Sequence, residues 1–245
     1  MPELAFTIAL REPVLLPEIP LDVMQGLFYR LLSEDPELSR RIHGDGGSKF
    51  YSFTGLEGES RPSGEKRLWS GNVRWRFRSP DPRLTEVLYR RVAGDPAVRI
   101  GSADGEVTGA ELSDRRIFTS CAEVTAATPL LAYHTAERRT FHSPGEREFG
   151  ETVQNGLIRR YRLYTGSEPK GEVRFLPLDA EEERDRRVMT FKGSYLRGYM
   201  GKYLLAGPPE VLEFAYDAGL GSKTSAGFGA VGACVPLPVR RSSME

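Results

Sequence analysis

The chain has 245 residues, 39% hydrophobic and 28% charged, with 34 basic side chains balanced by 34 acidic ones. That balance suits a globular chain of one large or two small domains, and it excludes a disordered polyelectrolyte or a protein that coats nucleic acid by bulk charge. No stretch approaches the roughly 20 apolar residues of a membrane span, and the two distant cysteines, Cys121 and Cys234, give neither a disulfide framework nor a metal-ligand spacing.

The first residues read as a strand rather than a secretory leader, so a reducing cytoplasm is the expected compartment. Leu4, Phe6, Ile8 and Leu10 alternate with small or polar residues, the pattern of a half-buried strand. Residues 21–32 follow as a helix, with Val23, Met24, Leu27, Phe28, Leu31 and Leu32 at the 3.6 period. Tyr29 falls opposite that stripe and is expected to be exposed. The glycines in residues 39–49 predict a flexible loop. Residues 50–54 predict a strand, and the polar residues 57–66 a mobile excursion. A strand over 72–78 puts Val73, Trp75 and Phe77 on one face and Arg74, Arg76 and Arg78 on the other, where they are either a solvated face or RNA contacts. The stretch 61–91 holds nine basic residues against three acidic ones, which permits a local nucleic-acid groove. A helix over 82–93 and strand material over 98–119, broken at Asp104-Gly105, close this half.

The second half repeats the order. It reads as a strand from 121, a helix over 146–163, a strand over 172–178 and strand material over 187–205 interrupted at Gly193, Gly198 and Gly201. A helix over 208–218 and a strand over 228–235 complete it. Each half is βαββαβ. The fold class is therefore α+β, with two tandem ferredoxin-like, RRM-like domains over residues 1–119 and 120–245. No RNP1-type string is present, so base stacking on sheet aromatics is not expected.

Between the last helix and the last strand lies a glycine-rich loop, residues 219–229, with four glycines, one lysine and three hydroxyls. Glycines at such spacing permit positive φ and can present amide N–H groups to phosphates. A dinucleotide fingerprint would follow a strand, and a Walker A loop would join glycine directly to lysine. Here the loop follows a helix and Ser222 separates Gly221 from Lys223. A C-cap followed by a turn explains the glycines equally well.

With two ferredoxin-like halves and this loop in place, the chain resembles the CRISPR-associated endoribonucleases of the RAMP superfamily, which cut a precursor transcript within its repeats. The resemblance is strongest over residues 201–231, where a helix, Gly-x-Gly, a basic insert and Gly-Phe-Gly enter the last strand. It implies cofactor-free, metal-independent cleavage in which the ribose 2′-hydroxyl attacks the adjacent phosphate, leaving a 2′,3′-cyclic phosphate and a 5′-hydroxyl. It implies His43 as proton-transfer group, Lys49 as the cation for phosphorane charge and Tyr29 as the group orienting a hydroxyl. His134 and His142 are the alternative histidines. RNA contacts are expected at Gly219, Gly221, Ser222, Lys223, Thr224, Ser225, Gly227 and Gly229, and at Arg187, Lys192 and Arg197 on a bent hairpin. The implied partners are CRISPR repeat RNA and its mature product, with effector-complex subunits or a second copy also allowed. The same fold serves non-catalytic RNA-binding RAMP subunits, which is the competing reading. The chemistry agrees with the residue types: histidine exchanges protons near neutral pH, and a fixed ammonium stabilises developing phosphorane charge.

Overall fold

The computed structural model describes residues 2–43, 49–114, 120–134 and 140–237. The first half runs β1 (Pro2–Leu10), β2 (Val14–Leu16), α1 (Leu21–Leu32), α2 (Pro36–His43), β3 (Ser52–Phe53), β4 (Glu57–Ser63), β5 (Lys66–Arg78), α3 (Pro82–Gly94), β6 (Ala97–Ile100) and β7 (Ala103–Asp114). The second runs β8 (Cys121–Ala126), β9 (Tyr133–His134), β10 (Thr140–Phe141), α4 (Arg147–Thr165), β11 (Arg174–Asp179), α5 (Glu182–Asp185), β12 (Arg186–Phe191), β13 (Ser194–Tyr199), β14 (Lys202–Ala206), α6 (Pro209–Ala218) and β15 (Val231–Pro236). A 3₁₀ turn, Thr224–Ala226, sits inside the glycine loop.

Both sheets are antiparallel and share one topology. In the first, β1 lies between β5 and β7, with β3 and β4 on the far side of β5. In the second the order is β11-β14-β8-β15. Each is the ferredoxin-like order, with the first strand central and the last beside it. The second half adds the β9/β10 hairpin, α5 and the β12/β13 hairpin. No helix among the described residues is long and apolar enough to cross a membrane.

Alternation sets the register. Leu4 pairs with Phe77 and Phe6 with Trp75, and the Phe6 and Trp75 rings stack at 5.6 Å. Burying side chains of this size stabilises by about 1.5–3 kcal/mol each. The first core, built on α1, α3 and the sheet, also takes in Leu131, Phe191, Leu196, Ala226 and Phe228 from the second half. The two halves are therefore joined by apolar packing.

Several local expectations are corrected. Residues 57–63 are not a mobile excursion; β4 pairs with β5 from Glu57↔Arg74 to Ser63↔Lys66. The break in 98–119 falls at Gly101, with φ of 61°, while Asp104 and Gly105 lie within β7. Residues 39–43 of the expected 39–49 loop belong to α2 instead. Gly198 lies inside β13, where a Cβ would come within 2.9 Å of Leu130's carbonyl oxygen. Tyr29 is half-buried because Tyr51 covers it, their hydroxyls 3.5 Å apart.

Where the halves meet, Asp217 of α6 is buried, and burial pushes its carboxyl up to about 7, with Arg78 acting in the opposite sense. Its folded pKa thus lies above its ordinary 3.8. Between these values the folded chain holds a proton that the unfolded chain has released, so this group's contribution to stability falls as pH rises. Asp217→Asn is expected to remove that slope, leaving a variant more stable than the parent at pH 8 but not at pH 4. Denaturant midpoints across pH measure it.

Candidate nucleic-acid interface

A groove of about 840 Å³ gathers residues from four separate places in the chain. Lys49 comes from the segment leading into β3, Arg159 and Arg160 from α4, and Gly221, Ser222, Lys223, Thr224 and Ser225 from the glycine loop. Tyr133 lines it beside Phe141, their rings 5.4 Å apart. Glu148 and Glu151 are its acidic side chains, and Glu151 is held by Arg147 at 2.6 Å. Lys49, Arg159 and Lys223 together with the loop hydroxyls give the groove a lining that suits a polyanion.

The loop is built differently from a simple cradle of amides. Leu220 N–H donates to Gly229, Ser222 to Leu131, Ala226 to Lys223, Gly227 to Thr224 and Gly229 to Pro129. Gly219, Thr224, Gly227 and Gly229 are buried. Gly219, Gly227 and Gly229 therefore shape the loop instead of presenting N–H groups outward, a correction to the expected contacts. Gly227 has φ of 91° and a Cβ there would land on the Phe53 ring; Gly229 has φ of 67° and a Cβ would overlap Leu220's carbonyl. Gly229→Ala is expected to cost about 2 kcal/mol or more through clash and positive φ together, which thermal unfolding would register. Gly221, Ser222, Lys223, Thr224 and Ser225 line the groove, with Thr224 mostly buried and Lys223 itself left-handed at φ of 56°.

Residues distant in sequence hold this loop. Arg160 donates to Ala218 O at 2.5 Å and to Gly219 O at 3.0 Å, placing a cation at the C-terminal end of α6. Burial, with Arg159 close by, lowers its pKa to about 10, so it stays charged. Gln25 of α1 is buried and donates Nε2 to Ser225 O at 2.9 Å. Tyr51 is buried and faces Tyr29, their hydroxyls 3.5 Å apart. No motif marks Gln25, Tyr51, Arg159 or Arg160. The one available signal was the odd polar Gln25 on an otherwise apolar helix face.

The other candidates fall as follows. Lys49 reaches the groove. His43 ends α2, and its side chain lies outside the described residues. Tyr29 is not among the groove's lining residues and meets Tyr51 instead. His134 is in β9, its side chain also outside the described residues. His142 is mostly buried, with Nδ1 3.3 Å from Glu146. Arg187, Lys192 and Arg197 lie on the β12/β13 hairpin, away from this groove. Arg187 donates to Arg184 O and Arg186 O, and Arg197 to Phe141 O at 2.6 Å. Lys192 and Gly193, both with positive φ, form the hairpin turn. Arg74 pairs with Glu111 and Arg76 with Glu57. Arg78 is neither a solvated face nor an RNA contact: it is 1% exposed and bound to Glu3 and to Val231 O.

Residues 112–233 match the family model for the C-terminal part of the CRISPR-associated protein Cas6. The chain is 25% identical over 214 residues to the CRISPR-associated endoribonuclease Cas6 of Pyrococcus furiosus, covering 85% of this chain and 80% of that one. Its fold matches a structure described as a RAMP protein binding different RNA substrates, with TM-score 0.81, 18% identity and coverage of 94% and 98%. It also matches a Cas6 product complex, with TM-score 0.67, 17% identity and coverage of 97% and 100%. Residues 112–233 thus match the Cas6 C-terminal family, and the chain as a whole has the fold of Cas6 and RAMP structures.

Proposed function

We propose that this chain is an endoribonuclease that cuts CRISPR repeat RNA in the precursor transcript, in the cytoplasm, and retains the mature product. The observation that carries this is the groove itself, which joins Lys49 of the first half to Lys223 and the hydroxyls of the glycine loop. The name of the Pyrococcus furiosus relative supports it. RNA phosphates lie along Lys49, Lys223 and Arg159, and such contacts position the strand without reading its sequence. His43 relays the proton as the 2′-hydroxyl attacks the adjacent phosphorus. The P–O5′ bond breaks, leaving a 2′,3′-cyclic phosphate, and the departing oxygen takes up a proton to become the 5′-hydroxyl. Lys49 stabilises the charge that builds on the phosphorane. Tyr29 contributes through the hydroxyl it meets.

The test is incubation with the cognate repeat RNA in EDTA, with and without a 2′-deoxy nucleotide at the cut. Cleavage of the all-ribose RNA alone is expected. Cleavage of the deoxy substrate refutes 2′-hydroxyl attack. Binding without any cleavage favours the second reading, a non-catalytic RNA-binding RAMP subunit, to which the likeness to an RNA-binding RAMP structure lends support. Under either reading Lys223→Ala is expected to weaken binding across sequences and to lower the slope of log K against log salt by about one, measured by titration at several salt concentrations.

A further inference from the structure

The α4 wall of the groove contains a glycine that the fold does not require. Glu148, Thr152, Asn155, Gly156 and Arg159 line the groove from one face of that helix. Gly156 stands near the middle of Arg147–Thr165, in backbone without positive φ. A glycine in such a place weakens a helix relative to alanine, because its backbone has more freedom to lose on folding. The other glycine of α4 has a reason in the packing: a Cβ at Gly150 would come within 3.1 Å of the Phe175 carbonyl oxygen on β11. A Cβ at Gly156 would meet no atom within 4 Å among the described residues.

Polar groups surround that bare stretch of helix. Asn155, next to it, is exposed, and its carboxamide makes no hydrogen bond among the described residues. Arg159, one turn on, is exposed and has no ion-pair partner among the described residues. The same groove holds Lys49 and Lys223. Uncommitted amide and guanidinium groups suit a polar, anionic strand and not an apolar segment of protein. Leaving out a side chain lets such a strand come to van der Waals distance of the helix backbone.

We infer that Gly156 is a seat for RNA: one nucleotide of the bound strand lies directly against the α4 backbone there, with Arg159 on its phosphate and Asn155 on its base edge. This rests on the reading that the groove takes RNA. It fixes the path of the strand along α4, a wall that the glycine loop does not supply, and it gives a reason for a glycine that the packing of the chain leaves without one.

The experiment pairs stability with affinity. Gly156→Ala and Gly156→Leu are made in the full chain, with Gly26→Ala of α1 as the comparison. Gly26 is not among the groove's lining residues, and a Cβ there would be in ordinary contact with Arg30 at 3.5 Å. Each protein is unfolded thermally and titrated with a repeat RNA blocked by a 2′-deoxy nucleotide at the cut. Gly156→Ala is expected to raise Tm by about 2–4 °C, the effect of a helix-interior glycine-to-alanine change in a chain of this size. It is expected to weaken RNA binding about tenfold, the scale of an overpacked contact. Gly156→Leu should weaken binding further at a Tm no lower than the parent's, and Gly26→Ala should gain Tm at parent affinity. A glycine kept for the fold alone would not move stability and binding in opposite directions. Parent affinity in Gly156→Ala overturns the inference, as does an equal loss of affinity in Gly26→Ala. A lower Tm in Gly156→Ala overturns it too, by showing that the fold itself uses the glycine. A parent chain that does not bind the RNA overturns the groove reading beneath it.

Discussion

Arg78→Ala is expected to destabilise the chain by roughly 3–5 kcal/mol, the cost of stripping one partner from a buried ion pair. Arg78 is 1% exposed and Glu3 4%. The guanidinium donates to Glu3 on the neighbouring strand and to the Val231 carbonyl of the second half. It also lies 3.9 Å over the Tyr216 ring, while the Tyr216 hydroxyl donates to Glu3 at 3.2 Å. One residue thus ties β1 and β5 to α6 and β15. Without it, Glu3 stays buried with only a phenol to accept from, and the Val231 carbonyl loses its donor. Burial alone would raise the Glu3 carboxyl, but the charge and hydrogen bond of Arg78 outweigh it and hold the pKa below its ordinary value. The pair's contribution is therefore complete above the ordinary carboxylate range and lost as pH falls through the lowered folded value. Urea unfolding at pH 7 and at pH 3 measures both effects, with the parent–variant gap narrowing in acid. A double change to apolar residues, Glu3→Leu with Arg78→Met, is expected to cost less than Arg78→Ala, because it leaves no unpaired charge. A loss under about 1 kcal/mol for Arg78→Ala would show that the network does not join the halves.

Much of the architecture was legible because burial of a single face writes its period into the chain. The alternation over β1 and the stripe on α1 are direct records of one-sided packing. The β4 strand left no such record. Its residues are polar and mostly exposed, and only pairing with β5 makes it a strand. Arg78 misled for the opposite reason. Alternation assigned it correctly to the face opposite Trp75, but that face is covered where the second half docks, and a strand pattern does not reveal which sheet face meets another domain. Tyr29 was misjudged in the same way: the helical wheel places it off the apolar arc, and Tyr51 then covers it.

The site shows the same division. The spacing of the glycine loop was readable, since positive φ and close approach demand glycine. Its use was not. Its amides are spent on carbonyls that include Pro129 and Leu131, and its fixed point, Gln25, is 200 residues away. Such contacts are products of the assembled fold. The loop acts as a wedge between the halves that exposes a short run, 221–225, to the groove. Scaffold and lining are therefore separable: glycines at 219, 227 and 229 keep the shape, and residues 221–225 line the groove.

His43→Ala is expected to slow cleavage of repeat RNA by roughly 10²–10⁴-fold, the usual worth of positioned proton transfer, while leaving the affinity for deoxy-blocked RNA unchanged. The chain's geometry narrows where the proton can be handled. Lys49 lines the groove, and His43 closes α2 six residues before it. Of the other histidines, His142 is committed to Glu146 at the start of α4. A histidine acting as base must be neutral, so the parent rate should fall as pH drops through the ordinary imidazole range near 6.5. The residual rate of His43→Ala should lack that limb. Single-turnover rates from pH 5 to 9 test both points, and Lys49→Ala offers the contrast, a slower reaction with the histidine limb intact. A His43→Ala variant that cleaves at the parent rate and keeps the limb would move the proton-transfer role to the second half, where His134→Ala is the next variant to measure.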